Sequence, residues 1–138
     1  MTPQQKYLIR KSFALLEVHG PVTGLAFYRR LFELDPSLRP LFKSDIEAQA
    51  IKLMDMLGVL ISHLEQPLLL ETELRQMGQR HTEYGVQPRH YAIVGQALLD
   101  MIAEGLQEEF TPEVREAWTA LYGAVSTTMQ SAVNPAAV

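Results

Sequence analysis

Proline follows a capping residue or a glycine at the start of one segment after another in this chain. The pairs are Thr2-Pro3, Gly20-Pro21, Asp35-Pro36 and Thr111-Pro112, an arrangement typical of the first turn of an α-helix. Between these starts, apolar residues recur at intervals of three and four, which is the period of an amphipathic helix. Strand signals are nearly absent, since the sequence has no Asn-Gly or Asp-Gly turn and no sustained alternation. The pattern therefore predicts an all-α protein.

The breaks between segments divide the sequence into seven helical pieces. They are expected at Thr2 to Gly20, from Pro21, from Asp35 to about Phe42, from a cap at Ser44 or Asp45 to about Leu64, from about Leu70 to Tyr84, from Pro88 to about Gly105, and from Thr111 to before Asn134. A length of 138 residues fits one domain. We expect a single domain over 1–138, with 134–138 as a frayed tail.

Composition narrows the classes of function. The chain has no cysteine, which excludes thiol catalysis, cysteine-bound zinc and iron–sulfur clusters. Its net charge of −4 gives no basic footprint for nucleic acid or anionic membranes. The most apolar stretch, Leu53 to Ile61, contains Asp55 and is too short to span a bilayer. The start lacks the apolar run of a secretory signal. We expect a soluble, cytoplasmic protein that binds neither nucleic acid nor membrane.

One histidine falls on the apolar face of the fifth piece. His81 follows Leu70, Leu74 and Met77 in steps of four, three and four, so its imidazole shares their face. A buried histidine is more often a structural residue than a metal ligand, because most buried polar groups find protein partners. Spacing alone leaves both interpretations open. No histidine is part of an HExxH or Glu-x-x-His motif, so zinc hydrolase and di-iron carboxylate sites have no support.

Two further polar residues lie on apolar faces. Gln49 comes three residues after Ile46 and four before Leu53, and Tyr28 has apolar neighbours on the second piece. A buried tyrosine hydroxyl needs a hydrogen-bond partner. The alternatives are that Gln49 is a surface residue near the helix cap and that Tyr28 is a core residue with its hydroxyl at the rim.

Four collinear strings of this sequence resemble the bacterial single-domain globins. The strings are FYRRLFELDPSLRPLF from Phe27, KLMDMLG from Lys52, RHTEYGVQPRHYAIVGQALLDMI from Arg80 and AWTALYG from Ala117. The resemblance extends over about residues 4–132. The pattern is similar to neuroglobin-like bacterial haemoglobins and to the haem domain of flavohaemoglobins. It implies a globin fold of about seven helices, with a short corner before the long helix on the distal side of the haem.

The resemblance also implies a haem b site and assigns its residues. His81 matches the proximal iron ligand, and Phe42 matches the phenylalanine that stacks on the porphyrin. The expected haem contacts are Phe42, Lys52, Leu53, Met77, Arg80, His81, Val86, Tyr91 and Val94, of which Lys52 and Arg80 would lie near the propionates. Tyr28, Gln49 and Leu53 match the distal positions that face a bound gas. Gln49 follows Phe42 by only seven positions, which makes the corner short.

One position departs from the flavohaemoglobin-like pattern. That pattern places a tyrosine and a glutamate around the proximal histidine. Tyr91 matches the tyrosine, but the glutamate position falls on Val133. Loss of this carboxylate weakens the case for peroxidase-like chemistry and favours reversible ligand binding.

The implied function is reversible binding of dioxygen, carbon monoxide and nitric oxide, for oxygen transport or storage or for nitric oxide detoxification. Alternatives are a nitric oxide dioxygenase or a nitrite reductase that works with a separate reductase, a haem-based gas or redox sensor, and a haem-free helical interaction module. Whether the protein is an enzyme therefore stays open. We expect an external reductase as a partner, and a monomer or a weak homodimer.

Overall fold

The computed structural model describes residues 1–43 and 45–131. Over these residues the chain contains no strand, which confirms the all-α prediction. It forms six α-helices and two short 3₁₀ helices. The α-helices are α1 (Pro3–Glu17), α2 (Pro21–Leu34), α3 (Ile46–Ser62), α4 (Pro67–Glu83), α5 (His90–Leu106) and α6 (Pro112–Ser131), and the 3₁₀ helices are Pro36–Leu41 and Gln107–Glu109. The tail at 134–138 lies outside the described residues.

Side-chain caps begin several of these helices where the sequence predicts them. The Thr2 hydroxyl accepts a hydrogen bond from the Gln5 amide at 3.1 Å, and the Gln5 side chain accepts one from the Thr2 amide at 3.0 Å. This reciprocal pair satisfies two amides that have no partner inside the helix. The Asp45 carboxylate accepts from the Ala48 amide at 3.3 Å and caps α3. The alternative cap, Ser44, lies outside the described residues.

Three predicted boundaries were wrong or incomplete. The third piece is a 3₁₀ helix, with Pro40 inside it, and proline has no amide hydrogen to donate within a helix. The helix that carries His81 begins at Pro67, three residues before the predicted Leu70. The next helix begins at His90 because Pro88 belongs to a turn, in which the Gln87 amide donates to the His90 ring at 2.9 Å.

The second helix packs between two neighbours. It lies against α3 and α5, and Gly24 makes the first of these approaches close. A methyl group added at Gly24 would lie 2.6 Å from the Ala50 carbonyl oxygen. Only a residue without a side chain allows the two backbones to come this near. The contact brings the helix of Tyr28 against the helix of Gln49.

The last helix, α6, packs against both the first helix, α1, and the helix of His81, α4. The indole N–H of the fully buried Trp118 donates to the Ser12 hydroxyl at 2.9 Å, which ties α6 to α1. Gly78 lies directly against the Met129 carbonyl oxygen, where a side chain would collide. No helix in the described part of the chain is both long and apolar enough to cross a bilayer.

Candidate functional site

A mainly apolar cavity of about 300 Å³ lies between α2, α3, α4, α5 and α6. It is lined by ten of the eleven residues that the sequence assigned to the haem site. These are Tyr28, Phe42, Gln49, Lys52, Leu53, Met77, His81, Val86, Tyr91 and Val94. The eleventh, Arg80, is exposed and is not among the residues that line the cavity.

The imidazole of His81 has one of its two ring nitrogens fixed. Its Nδ1 lies 2.7 Å from the Met77 carbonyl oxygen, one turn earlier on α4. A carbonyl can only accept, so Nδ1 carries the proton and Nε2 keeps a free lone pair in the neutral ring. Burial lowers the pKa of His81 below its ordinary value of 6.5, and the charge of Arg80 acts in the same direction. His81 is therefore neutral at pH 7, in the form that binds a metal ion.

The backbone after α4 turns sharply around this histidine. Gly85 has a φ of +97°, a conformation that favours glycine. The Val86 amide then donates to the His81 carbonyl oxygen at 2.9 Å, which brings Val86 to the cavity wall. The Tyr84 ring lies 6.4 Å from the His81 ring, between centroids, and is 63% exposed. Tyr84 therefore lies where the cavity opens to solvent.

The distal residues come together at the junction of α2 and α3. The Tyr28 hydroxyl lies 3.5 Å from the Gln49 carbonyl oxygen, at the outer limit for a hydrogen bond. Burial raises the pKa of Tyr28 to about 12, so the hydroxyl keeps its proton at neutral pH. The Tyr28 ring packs edge-on against Phe42, with centroids 5.2 Å apart. The hydroxyl is thus held in place by its ring and remains able to donate to a ligand.

Tyr91 is a second tyrosine that lines the cavity. The buried Tyr91 hydroxyl makes no hydrogen bond within residues 1–43 and 45–131. Its backbone is held firmly, because the Tyr122 hydroxyl donates to the Tyr91 carbonyl oxygen at 2.6 Å. Val133, the position where the sequence lacks the expected glutamate, lies outside the described residues.

Thirteen lining residues were not predicted from the sequence. They are Phe27, Leu31, Met56, Leu57, Leu60, Ile61, Tyr84, Leu98, Trp118, Leu121, Tyr122, Val125 and Met129. Helical spacing offered a signal for several of them. Tyr84 comes one turn after His81, and Met56 and Leu57 come one turn after Leu53. The residues from α6 gave no such signal, because their role depends on how α6 packs on α4.

Comparison with known proteins identifies the family. The globin family model matches residues 25–129. The chain belongs to the globin family. This confirms the predicted globin fold, and members of the family bind diatomic gases at haem b.

Curated relatives of this globin include flavohemoproteins and neuroglobins. It is 31% identical to a flavohemoprotein of Vibrio cholerae, in a match that covers 88% of this chain and 32% of that relative. It is 32% identical to a flavohemoprotein of Deinococcus radiodurans, in a match that covers 94% of this chain and 33% of that relative. It is also 31% identical to a neuroglobin of Tetraodon nigroviridis, over 94% of this chain and 90% of the neuroglobin. The chain thus spans about a third of the flavohemoproteins and nearly all of the neuroglobin.

The residues of the cavity fit haem b. No group of three or more histidine, aspartate or glutamate side chains that could hold a metal ion occurs in the described ranges. A single neutral histidine therefore suits a metal whose other ligands come from a macrocycle. The apolar walls suit the porphyrin faces, and the exposed Lys52 at the rim suits an acidic propionate.

Proposed function

We propose that this globin, as a single domain over 1–138, binds one haem b through His81 and reversibly binds dioxygen and related diatomic gases. The observation that carries the proposal is the fixed imidazole of His81, which lines the same cavity as Tyr28 and Gln49. Haem b, when bound, would supply an iron that binds a diatomic gas. The Met77 carbonyl orients the imidazole and makes it a better electron donor.

The other cavity residues position the ring and the gas. Phe42 is proposed to stack on the porphyrin, while Met77, Val86, Tyr91, Val94 and Leu53 pack around it. Lys52 at the rim, and Arg80, which is exposed and does not line the cavity, are proposed to pair with the propionates. Dioxygen acquires partial negative charge when it binds, so the Tyr28 hydroxyl and the Gln49 amide are its proposed donors. Each neutral hydrogen bond is worth about 0.5–1.5 kcal/mol, which corresponds to roughly two- to tenfold slower release.

Substitution of His81 tests the proposal. His81→Ala should abolish stable haem binding, or make it depend on added imidazole, as read from the absorption spectrum. His19→Ala is the matched control, since His19 is exposed and does not line the cavity. Unchanged haem uptake and unchanged carbon monoxide spectra in His81→Ala would refute the assignment.

A second candidate function is nitric oxide dioxygenase activity. The likeness to flavohemoproteins supports it, because their name pairs a haem with a flavin, a group that carries electrons, and this reaction consumes an electron. Tyr28 and Gln49 would hold dioxygen in place while nitric oxide arrives. Dioxygen, nitric oxide and one electron from the reduced haem would together give nitrate and leave the haem oxidised. Repeated turnover needs an electron donor. We propose that an external reductase supplies these electrons.

Rapid mixing separates the two candidates. Oxygen-loaded protein mixed with an equimolar amount of nitric oxide should lose its oxygen-bound spectrum rapidly if dioxygenation occurs, and repeated turnover should require an added reductase. Persistence of that spectrum for minutes would favour storage, delivery or sensing instead. The proposal includes a cytoplasmic location and a monomer or weak homodimer, which fractionation and sedimentation would check.

A further inference from the structure

A groove on the outside of the protein runs between α1 and α3. It has a volume of about 730 Å³, and Gly20 and Pro21 are among the residues that line it. Three buried apolar side chains form its floor: Phe13, Met54 and Ile61. The groove therefore leads from solvent down to the hydrophobic core.

Ile61 separates this groove from the haem cavity. Its side chain lines both spaces and is only 6% exposed. A single aliphatic side chain is thus common to the two walls. A change of its rotamer would move the wall that the two spaces share, and would thereby connect them for a small molecule.

Gly58 keeps the groove open one turn before Ile61. A methyl group added there would meet Phe13 at 3.7 Å, an ordinary van der Waals distance, and no other group within 4 Å. Space for a larger side chain therefore exists above the floor. In this sequence, that space is left empty by the absence of a side chain.

We propose that the groove is a second entry route for diatomic gases, with Ile61 as its gate. Dioxygen, carbon monoxide and nitric oxide are small and weakly polar, and apolar spaces in proteins admit such gases, as they admit xenon. The other route is the mouth of the cavity beside the exposed Lys52 and Tyr84. The inference rests on the proposed gas binding at the haem.

Filling the groove tests this route. Gly58→Leu should lower the association and dissociation rates of carbon monoxide by the same factor, about twofold if half of the gas uses the groove, equal to about 0.4 kcal/mol in the barrier. The equilibrium affinity should not change, since a route alters rates and not end states. Gly123→Leu is the matched control, because Gly123 is an exposed helical glycine with no atom within 4 Å of an added methyl group. Flash photolysis and carbon monoxide replacement give the two rates.

Two further measurements complete the test. Ile61→Ala should raise both rates, the opposite of Gly58→Leu. Xenon, followed by ¹²⁹Xe NMR, should bind near Ile61 in the haem-loaded protein, and Gly58→Leu should weaken that binding. Unchanged rates in Gly58→Leu, or a changed affinity without matching rate changes, would overturn the proposed route. Failure to bind carbon monoxide at all would instead refute the proposed function.

Discussion

Gly24 offers a quantitative test of how α2 and α3 position the distal residues. In Gly24→Ala, the new methyl carbon would lie 2.6 Å from the Ala50 carbonyl oxygen and 2.9 Å from the Ala50 Cα and Cβ atoms. Carbon atoms normally pack at about 3.5–4.0 Å, so the two helices must separate by roughly 1 Å. None of the opposing atoms belongs to a flexible side chain. We therefore expect an overpacking cost of roughly 1–3 kcal/mol.

A control substitution isolates this cost from helix propensity. Replacing a helical glycine by alanine stabilises a helix by about 1 kcal/mol wherever the methyl group has space. Gly123→Ala has that space, since no atom lies within 4 Å of the added group. Gly24→Ala should therefore be less stable than Gly123→Ala by roughly 1–3 kcal/mol. Urea unfolding of the two haem-loaded variants, at equal haem content, measures the difference.

The same substitution should also affect the distal site. Tyr28 lies one turn after Gly24, and Gln49 precedes Ala50. Separating the helices in Gly24→Ala should therefore weaken the hydrogen bonds from Tyr28 and Gln49 to bound dioxygen and speed its release. If Gly24→Ala proves as stable as Gly123→Ala and releases dioxygen at the parent rate, the close approach does not position the distal residues as argued.

Two other predictions concern hydrogen bonds. Tyr28→Phe should speed dioxygen release by roughly two- to tenfold. The effect of Gln49→Leu should not add to it independently, because both donors share one ligand. Carbon monoxide release should change less in both variants, and equal effects on both gases would indicate steric control. The Asp35 carboxylate accepts hydrogen bonds from the Ser37 hydroxyl and amide, which lower its pKa below the ordinary value of 3.8. The stability that this carboxylate contributes is therefore fully present above pH 3.8 and is lost as the pH falls through its lowered pKa. Asp35→Asn should consequently be less stable than the parent at neutral pH, and urea unfolding should show this difference shrinking as the pH falls below 3.8. A difference that is independent of pH would contradict this.

Local signals predicted most of the fold. Caps such as Thr2 and Asp45 act through hydrogen bonds over three residues, so they can be read from the sequence directly. The start of α4 was misplaced because the signal at Pro67 has no side-chain cap before it. Helical spacing likewise placed His81, Tyr28 and Gln49 on interior faces.

Features that depend on the distance between helices were not predictable. The sequence shows a glycine at position 24, but its contact with Ala50 exists only after α2 and α3 have packed. Helical spacing places Tyr84 one turn after His81, but the exposure of its ring was not predictable, because it depends on the turn at Gly85. The Tyr91 hydroxyl is a further case, since only the packed structure shows that it has no hydrogen-bond partner among the described residues.

The position of Trp118 means that its fluorescence can report on haem binding. It is the single tryptophan of the chain, it is fully buried, and it lines the cavity proposed for the haem. A bound porphyrin absorbs the light that an indole emits, so haem in this cavity should quench the fluorescence. Loss of haem from the folded protein would restore emission at the short wavelengths of a buried indole, whereas unfolding would shift it to longer wavelengths. One fluorescence signal can thus distinguish cofactor release from unfolding in every variant described above.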